Sequence, residues 1–174
     1  ASILVNFNTV QSATNQGDFF FHFGESTANT AAGARVLVKK HTEEGKMQFG
    51  ISSGGTSSAT EWIDAAFDLN ATHLVVIKLS IVAGDKNARA SLFINPVISS
   101  AEPEAHATTN SSTGNADLSS VSSIGIRQGT GTRTPLGHVG ALRVSESWEG
   151  LFDLQGEPTP TIKTSGSAVF GSVY

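Results

Sequence analysis

The sequence predicts an all-β fold of two packed antiparallel sheets, and three observations carry that prediction. Apolar residues alternate with polar ones in segment after segment, the two-residue period of a strand with one buried face. The breaks between segments are rich in glycine, serine, threonine and asparagine, with 18 glycines in 174 residues, which suits strand-to-strand turns. No long amphipathic helix is legible to serve as a crossover between parallel strands. About eight to eleven short strands are expected, which favours a two-layer sandwich over an α/β fold.

The chain opens with Ile3, Val5 and Phe7 on one side of a strand and Asn6 and Asn8 on the other. After a polar turn, residues 18–23 set Phe19, Phe21 and Phe23 on one face and Phe20 and His22 on the other. A strand with aromatic rings on both sides is either covered on both or exposes a binding surface, and core packing is the simpler reading. Residues 35–40 and 46–52 read as a hairpin around residues 41–45, with Met47, Phe49 and Ile51 inward. The linker that follows contains SSGGTSS. It is flexible by composition and lacks the lysine and spacing of a phosphate-binding loop. Residues 62–67 suit a short strand or a single helical turn.

Residues 72–96, THLVVIKLSIVAGDKNARASLFINP, form the centre. Val75, Ile77, Leu79 and Ile81 oppose Lys78 and Ser80, and after a reversal at AGDKN the pattern repeats with Ala88, Ala90, Leu92 and Ile94. Two adjacent antiparallel strands near the middle of a sheet are expected. Residues 97–118 hold little that can be buried and read as a long surface excursion. A strand resumes over residues 121–128, where Ile124 and Ile126 alternate with Ser123, Gly125 and Arg127. Another spans residues 137–144 with Leu142 and Val144 inward and Arg143 outward, and leads to Trp148. Residues 1–152 are thus one domain, and residues 153–174 an extension. Its closing AVFGSVY, with Val169, Phe170 and Tyr174, is fit to pair at a sheet edge in the same molecule or a neighbour.

A chain of 174 residues with a formal net charge of −4 gives one domain and no reason to expect a polyanionic partner. Nucleic acid and anionic membrane are disfavoured, although a local basic patch can survive an acidic total. Lys39, Lys40, His41 and Lys46 are the nearest approach to one, and a solvated hairpin end explains them more simply. With no cysteine, disulfides, thiolate catalysis and cysteine-held metals are excluded. No apolar run reaches the length of a membrane-spanning helix. The opening ASILVNFNTV has no basic region ahead of its apolar part, so it reads as a processed mature end or a fragment rather than an intact signal peptide.

Residues 46–96, together with SSVSSIGIRQG at 119–129 and GHVGALRVSESWEGLF at 137–152, resemble the concanavalin A-like, laminin-G-like jelly-roll domains. More narrowly they are similar to modules of large secreted or surface proteins of Bacteroidota and related marine bacteria. In those modules a strand ending LFINP precedes a variable loop, an IRQG-like strand, and an IDGIRV-like strand followed by tryptophan. The resemblance implies a jelly-roll sandwich working outside a bacterial cell in adhesion or structural assembly, with other domains of a surface protein or further copies as partners. This chain has His138 with Val139, Gly140 and Ala141 where such modules commonly place an aspartate before the strand.

Enzymatic readings find little support in the residues. A glycosidase on such a scaffold needs two carboxylates across the scissile bond, and no ExDxE-like strand is present. Glu61 with Asp64 and Glu102 with Glu104 are the closest groupings, so a polysaccharide-degrading domain stays an alternative. No GxSxG elbow or HExxH motif occurs, and His22, His41, His73, His106 and His138 are scattered. Calcium is the one cofactor with candidate donors, Asp64, Asp68, Asn70, Asp85 and Asn87, without a DxDxDG loop to organise them. Carbohydrate binding is the leading active role. Trp62 beside Glu61 and Asp64 offers an apolar plane with polar neighbours, whereas Trp148 reads as packed against the sandwich. Self-association is the other class, through strand exchange at Ile3, Val5 and Phe7 or at Val169, Phe170 and Tyr174.

Overall fold

The computed structural model describes residues 1–10, 17–25, 32–53, 60–82, 86–110, 117–118, 120–129 and 134–153. Its elements in chain order are β1 (Ser2–Thr9), β2 (Asp18–Gly24), β3 (Ala32–Lys40), β4 (Lys46–Ser52), β5 (Thr60–Trp62), β6 (Phe67–Asp68), β7 (His73–Ser80), β8 (Arg89–Ile94), β9 (Ala107–Asn110), β10 (Ser123–Ile126), β11 (Leu136–Arg143) and α1 (Trp148–Phe152). Two antiparallel sheets pack as a sandwich. One has the order β11-β1-β7-β8-β9, the other β10-β2-β3-β4-β5, with β6 pairing β4. The fold class read from the sequence is the one observed, and the arrangement is compatible with a jelly roll.

The core between the sheets comes from the inward positions of the alternating strands. Ile3, Val5 and Phe7 of β1, Val75 and Ile77 of β7, and Ala90, Leu92 and Ile94 of β8 face Val36 and Val38 of β3 and Met47, Phe49 and Ile51 of β4. The two halves of the central stretch pair as expected, from Val75 opposite Ile94 to Ser80 opposite Arg89. Ile81 lies beyond the end of β7 and is exposed. Residues 83–85 of the expected reversal are outside the described residues.

Strand β2 departs from simple alternation. Its register to β3 slips between Phe19 and Phe21, a bulge that lets consecutive residues enter the same side. Phe20, Phe21 and Phe23 are therefore all core residues. Phe19 joins His22 on the outside, the reverse of the face first assigned to it.

Three further expectations are corrected. The stretch read as an excursion contains β9, whose residues Ala107 to Asn110 pair with β8, and buried Leu118. ATTN offers no apolar alternation, because an edge strand half open to water does not need one. Strand β11 exists, but all eight of its residues are exposed. Leu142 and Val144 are not inward: β11 lies outside β1 at the rim of its sheet, and a bulge with Ala141 at φ 50° breaks its alternation. Ile124 packs against the core, whereas Ile126 is exposed on the edge strand β10.

The outer face of the five-stranded sheet is not simply wet either. Val76 and Phe93 form a second buried cluster with Leu151, against which Trp148 and Phe152 pack. The helix α1 that brings them is capped by Ser147, whose hydroxyl accepts from Gly150 N at 3.1 Å. Trp148 packs at a tilt against Phe93, with ring centroids 5.2 Å apart, and donates from Nε1 to the Ser99 carbonyl at 2.9 Å, so the second tryptophan is a packed one.

Candidate functional site

Residues 62–67 resolve into two short pairings on β4. Thr60–Trp62 lies opposite Gly50 to Ser52, and Phe67–Asp68 opposite Lys46 and Met47. Trp62 is half-buried on the outer face of the six-stranded sheet. Its indole lies on Gly50, where an added Cβ would meet the ring at 2.7 Å, and against Gly17. The Lys39 ammonium stands 4.2 Å from the ring centroid. Glu61 pairs opposite Ile51, so strand alternation sends it to the other side from Trp62. Asp64 is exposed in the bend beyond buried Ile63. The three residues proposed around a sugar therefore do not share one surface through the strand itself.

The expected calcium donors are dispersed. Asp68 pairs with Lys46, which lowers its carboxyl pKa through the hydrogen bond and the charge. Asn70 accepts from Asn8 at 3.0 Å, and the Asn87 amide donates to Asp117 at 2.7 Å. Asp85 lies outside the described residues. No group of three or more histidine, aspartate or glutamate side chains gathers as a metal site among the described residues. Glu102 accepts from the Lys78 ammonium with both oxygens, at 2.7 and 2.8 Å.

For assembly, the structure puts β1 in the interior of its sheet, between β11 and β7. Ile3, Val5 and Phe7 are core residues whose strand already has both neighbours. Val169, Phe170 and Tyr174 lie outside the described residues. Among the described residues the strand at this end of the sheet is β11. Leu136, Val139 and Leu142 on it are each more than two-fifths exposed, and Val144, just beyond, is 61 % exposed. Next to that end lies a groove of about 880 Å³, lined among others by Ile81, Val121, Val144, Trp148 and Leu151.

One cluster had no signal in the sequence as read. Arg35 and Arg127 both stand against the Phe19 ring, at 4.7 and 4.2 Å from its centroid. His22 meets the same ring edge-on at 5.5 Å. Arg127 also donates to Asp18 at 2.6 Å and to the Phe19 carbonyl at 3.2 Å. Burial first, then the charges of Arg35 and Arg127, push the His22 imidazole below its ordinary pKa. Residues 22, 35 and 127 are distant in sequence, and β-pairing alone brings them together.

Comparison of the chain with protein-family models, with curated proteins and with solved structures gives no match.

Proposed function

We propose that the chain is a non-catalytic module of the concanavalin A-like, laminin-G-like kind, secreted or displayed on a bacterial surface, and that it serves adhesion or structural assembly. The observation that supports this reading is β11, an eight-residue strand at the rim of its sheet with every side chain exposed. A long edge carrying apolar side chains is a template for another strand unless charge, proline, a bulge or cover blocks it, and the register of β11 runs unbroken from Gly137 to Gly140, between its two irregularities. Here Arg143 is the only charged residue among Leu136 to Arg143 besides the titratable His138. The neighbouring groove, whose apolar walls alternate with Lys78, Glu102 and Glu146, extends the surface available to a partner.

Sedimentation of the 174-residue chain over a range of concentrations tests the reading. Self-association that Val139→Lys and Leu142→Lys together abolish, with the fold intact by circular dichroism, is the expected outcome. A monomer at every concentration, or an oligomer indifferent to both changes, refutes assembly through this edge.

Carbohydrate recognition is the second reading, favoured by Trp62. Its half-buried indole and the adjacent Lys39 ammonium provide an apolar ring and a donor for sugar hydroxyls. Trp62→Ala is expected to abolish glycan-array signals if this reading holds, and signals that survive it assign the sugar elsewhere.

A further inference from the structure

Strand β7 is paired to its end on one side only. β8 follows it from Val75 to Ser80, whereas β1 opposes it only from His73 to Val76, with one further exchange between Ala1 and Ile77. There the Ala1 nitrogen donates to the Ile77 carbonyl, and the Ile77 amide to the Ala1 carbonyl, both at 2.9 Å. On the opposite side the Leu74 carbonyl accepts from Asn95 N at 2.8 Å. Backbone groups of successive strand residues point to alternate sides, so the N–H and C=O of Leu79 point away from β8, as those of Ile77 do. Past Ile77 no strand among the described residues pairs with β7 on that side. The groove of about 880 Å³ runs along this stretch, with Ile77, Lys78, Leu79 and Ile81 in its lining.

We propose that this groove takes an extended segment of a partner protein as an added strand in line with β1, with apolar side chains turned to Leu79 and basic ones to Glu146.

The two walls of the groove differ in chemistry, and that difference sets the pattern. On one wall Phe23 and Ile77 belong to the core between the sheets, and Leu79 packs against it. The other wall carries Lys78, Glu102 and Glu146. Glu102 spends both oxygens on the Lys78 ammonium, at 2.7 and 2.8 Å, so Glu146 gives that wall a net negative charge among the described residues. A strand presents side chains to alternate faces, about 7 Å apart on each. A segment hydrogen-bonded to Leu79 therefore meets the apolar wall with every second residue and the acidic wall with those between. In such strand addition the main chain supplies affinity and the alternate side chains supply selectivity. The proposal rests on the assembly reading above in that the module works by joining another chain, but it uses β7 and not the edge of β11.

Calorimetric titration of the 174-residue chain with end-blocked hexapeptides, (Val-Lys)3 and (Val-Glu)3, and with the peptide AVFGSVY of residues 168–174 tests the proposal. The basic hexapeptide is expected to bind about tenfold or more tighter than either other peptide, and Glu146→Lys to reduce its advantage over the acidic one about threefold or more. Hydrogen exchange on the unsubstituted protein fixes the place: with the basic peptide bound, the Leu79 amide should exchange about tenfold or more slowly. Equal binding of the two hexapeptides, no binding, an advantage unchanged in Glu146→Lys, tighter binding of AVFGSVY, or exchange at Leu79 unaffected by the peptide overturns it. Val139→Lys with Leu142→Lys, which tests the β11 edge, leaves the groove residues in place and should not weaken the basic peptide; loss of binding there moves the peptide to β11 and overturns the groove.

Discussion

Asn95, in the LFINP segment, shows how much one residue can organise. It adopts φ 50°, a region asparagine tolerates better than most residues. Its Oδ1 accepts from Leu74 N at 2.9 Å, and its Nδ2 donates to His73 Nδ1 at 3.0 Å. The His73 Nε2 proton then goes to the Asp68 carbonyl at 2.9 Å, because a carbonyl only accepts. Buried His73 is thereby satisfied at both nitrogens. Asn95→Ala is expected to lower unfolding stability by about 1–3 kcal/mol. Asn95→Gly, which accommodates the backbone but supplies no side chain, must remain destabilised; urea midpoints check both. His22 is the contrasting histidine. Its folded pKa lies below the ordinary 6.5, so the unfolded chain binds more protons just below that pH. Stability from neutral His22 is complete above about pH 6.5 and is lost as pH falls, until the folded imidazole itself protonates. Urea midpoints at pH 7.5 and 5.5 should differ less in His22→Gln than in the unsubstituted protein; an unchanged difference removes His22 as the cause.

Among elements, α1 and β11 carry the clearest predictions. Trp148 packs tilted against Phe93 and edge-on against Phe152, the latter at 4.9 Å between ring centroids, and holds α1 to the outer face of β7 and β8. Because the indole is only partly buried, Trp148→Ala is expected to cost about 2–3 kcal/mol, less than a fully enclosed aromatic. Denaturation monitored by circular dichroism measures it, and a change below about 0.5 kcal/mol, the range of ordinary surface substitutions, means the helix is not held this way. In β11, Ala141 takes the left-handed backbone at the bulge. Ala141→Gly should stabilise the protein by about 0.5–1 kcal/mol, since glycine adopts that conformation without Cβ strain. A loss of stability on that substitution refutes strain at the bulge.

At the scale of the whole molecule, the closing contact joins the first and last strands among the described residues. Ser2 pairs with Arg143, and Asn6 with His138, so the five-stranded sheet is complete only when nearly the entire described chain is in place. A fold dominated by such distant pairings closes large loops before it gains their contacts. Refolding on the millisecond-to-second scale is therefore expected in stopped-flow fluorescence. Microsecond refolding would show that local structure dominates instead.

The two-residue period, together with turn-rich breaks and the lack of long amphipathic helices, determined the all-β class, the central β7–β8 pair, the β3–β4 hairpin and most of the core, because a strand buried on one face must repeat every second residue. Where burial stops dictating residue type, that signal fades. β9 and β11 lie at sheet edges, so ATTN and LGHVGALR need not alternate. The bulge in β2 moved Phe20 inward and Phe19 outward, a shift of one residue that leaves composition unchanged. Only the tertiary structure placed Arg35 and Arg127 on one ring, or laid Trp62 on Gly50. Those neighbours are fixed by which strands pair and in what register, and the pairing energy is shared across the sheets rather than written in any one segment.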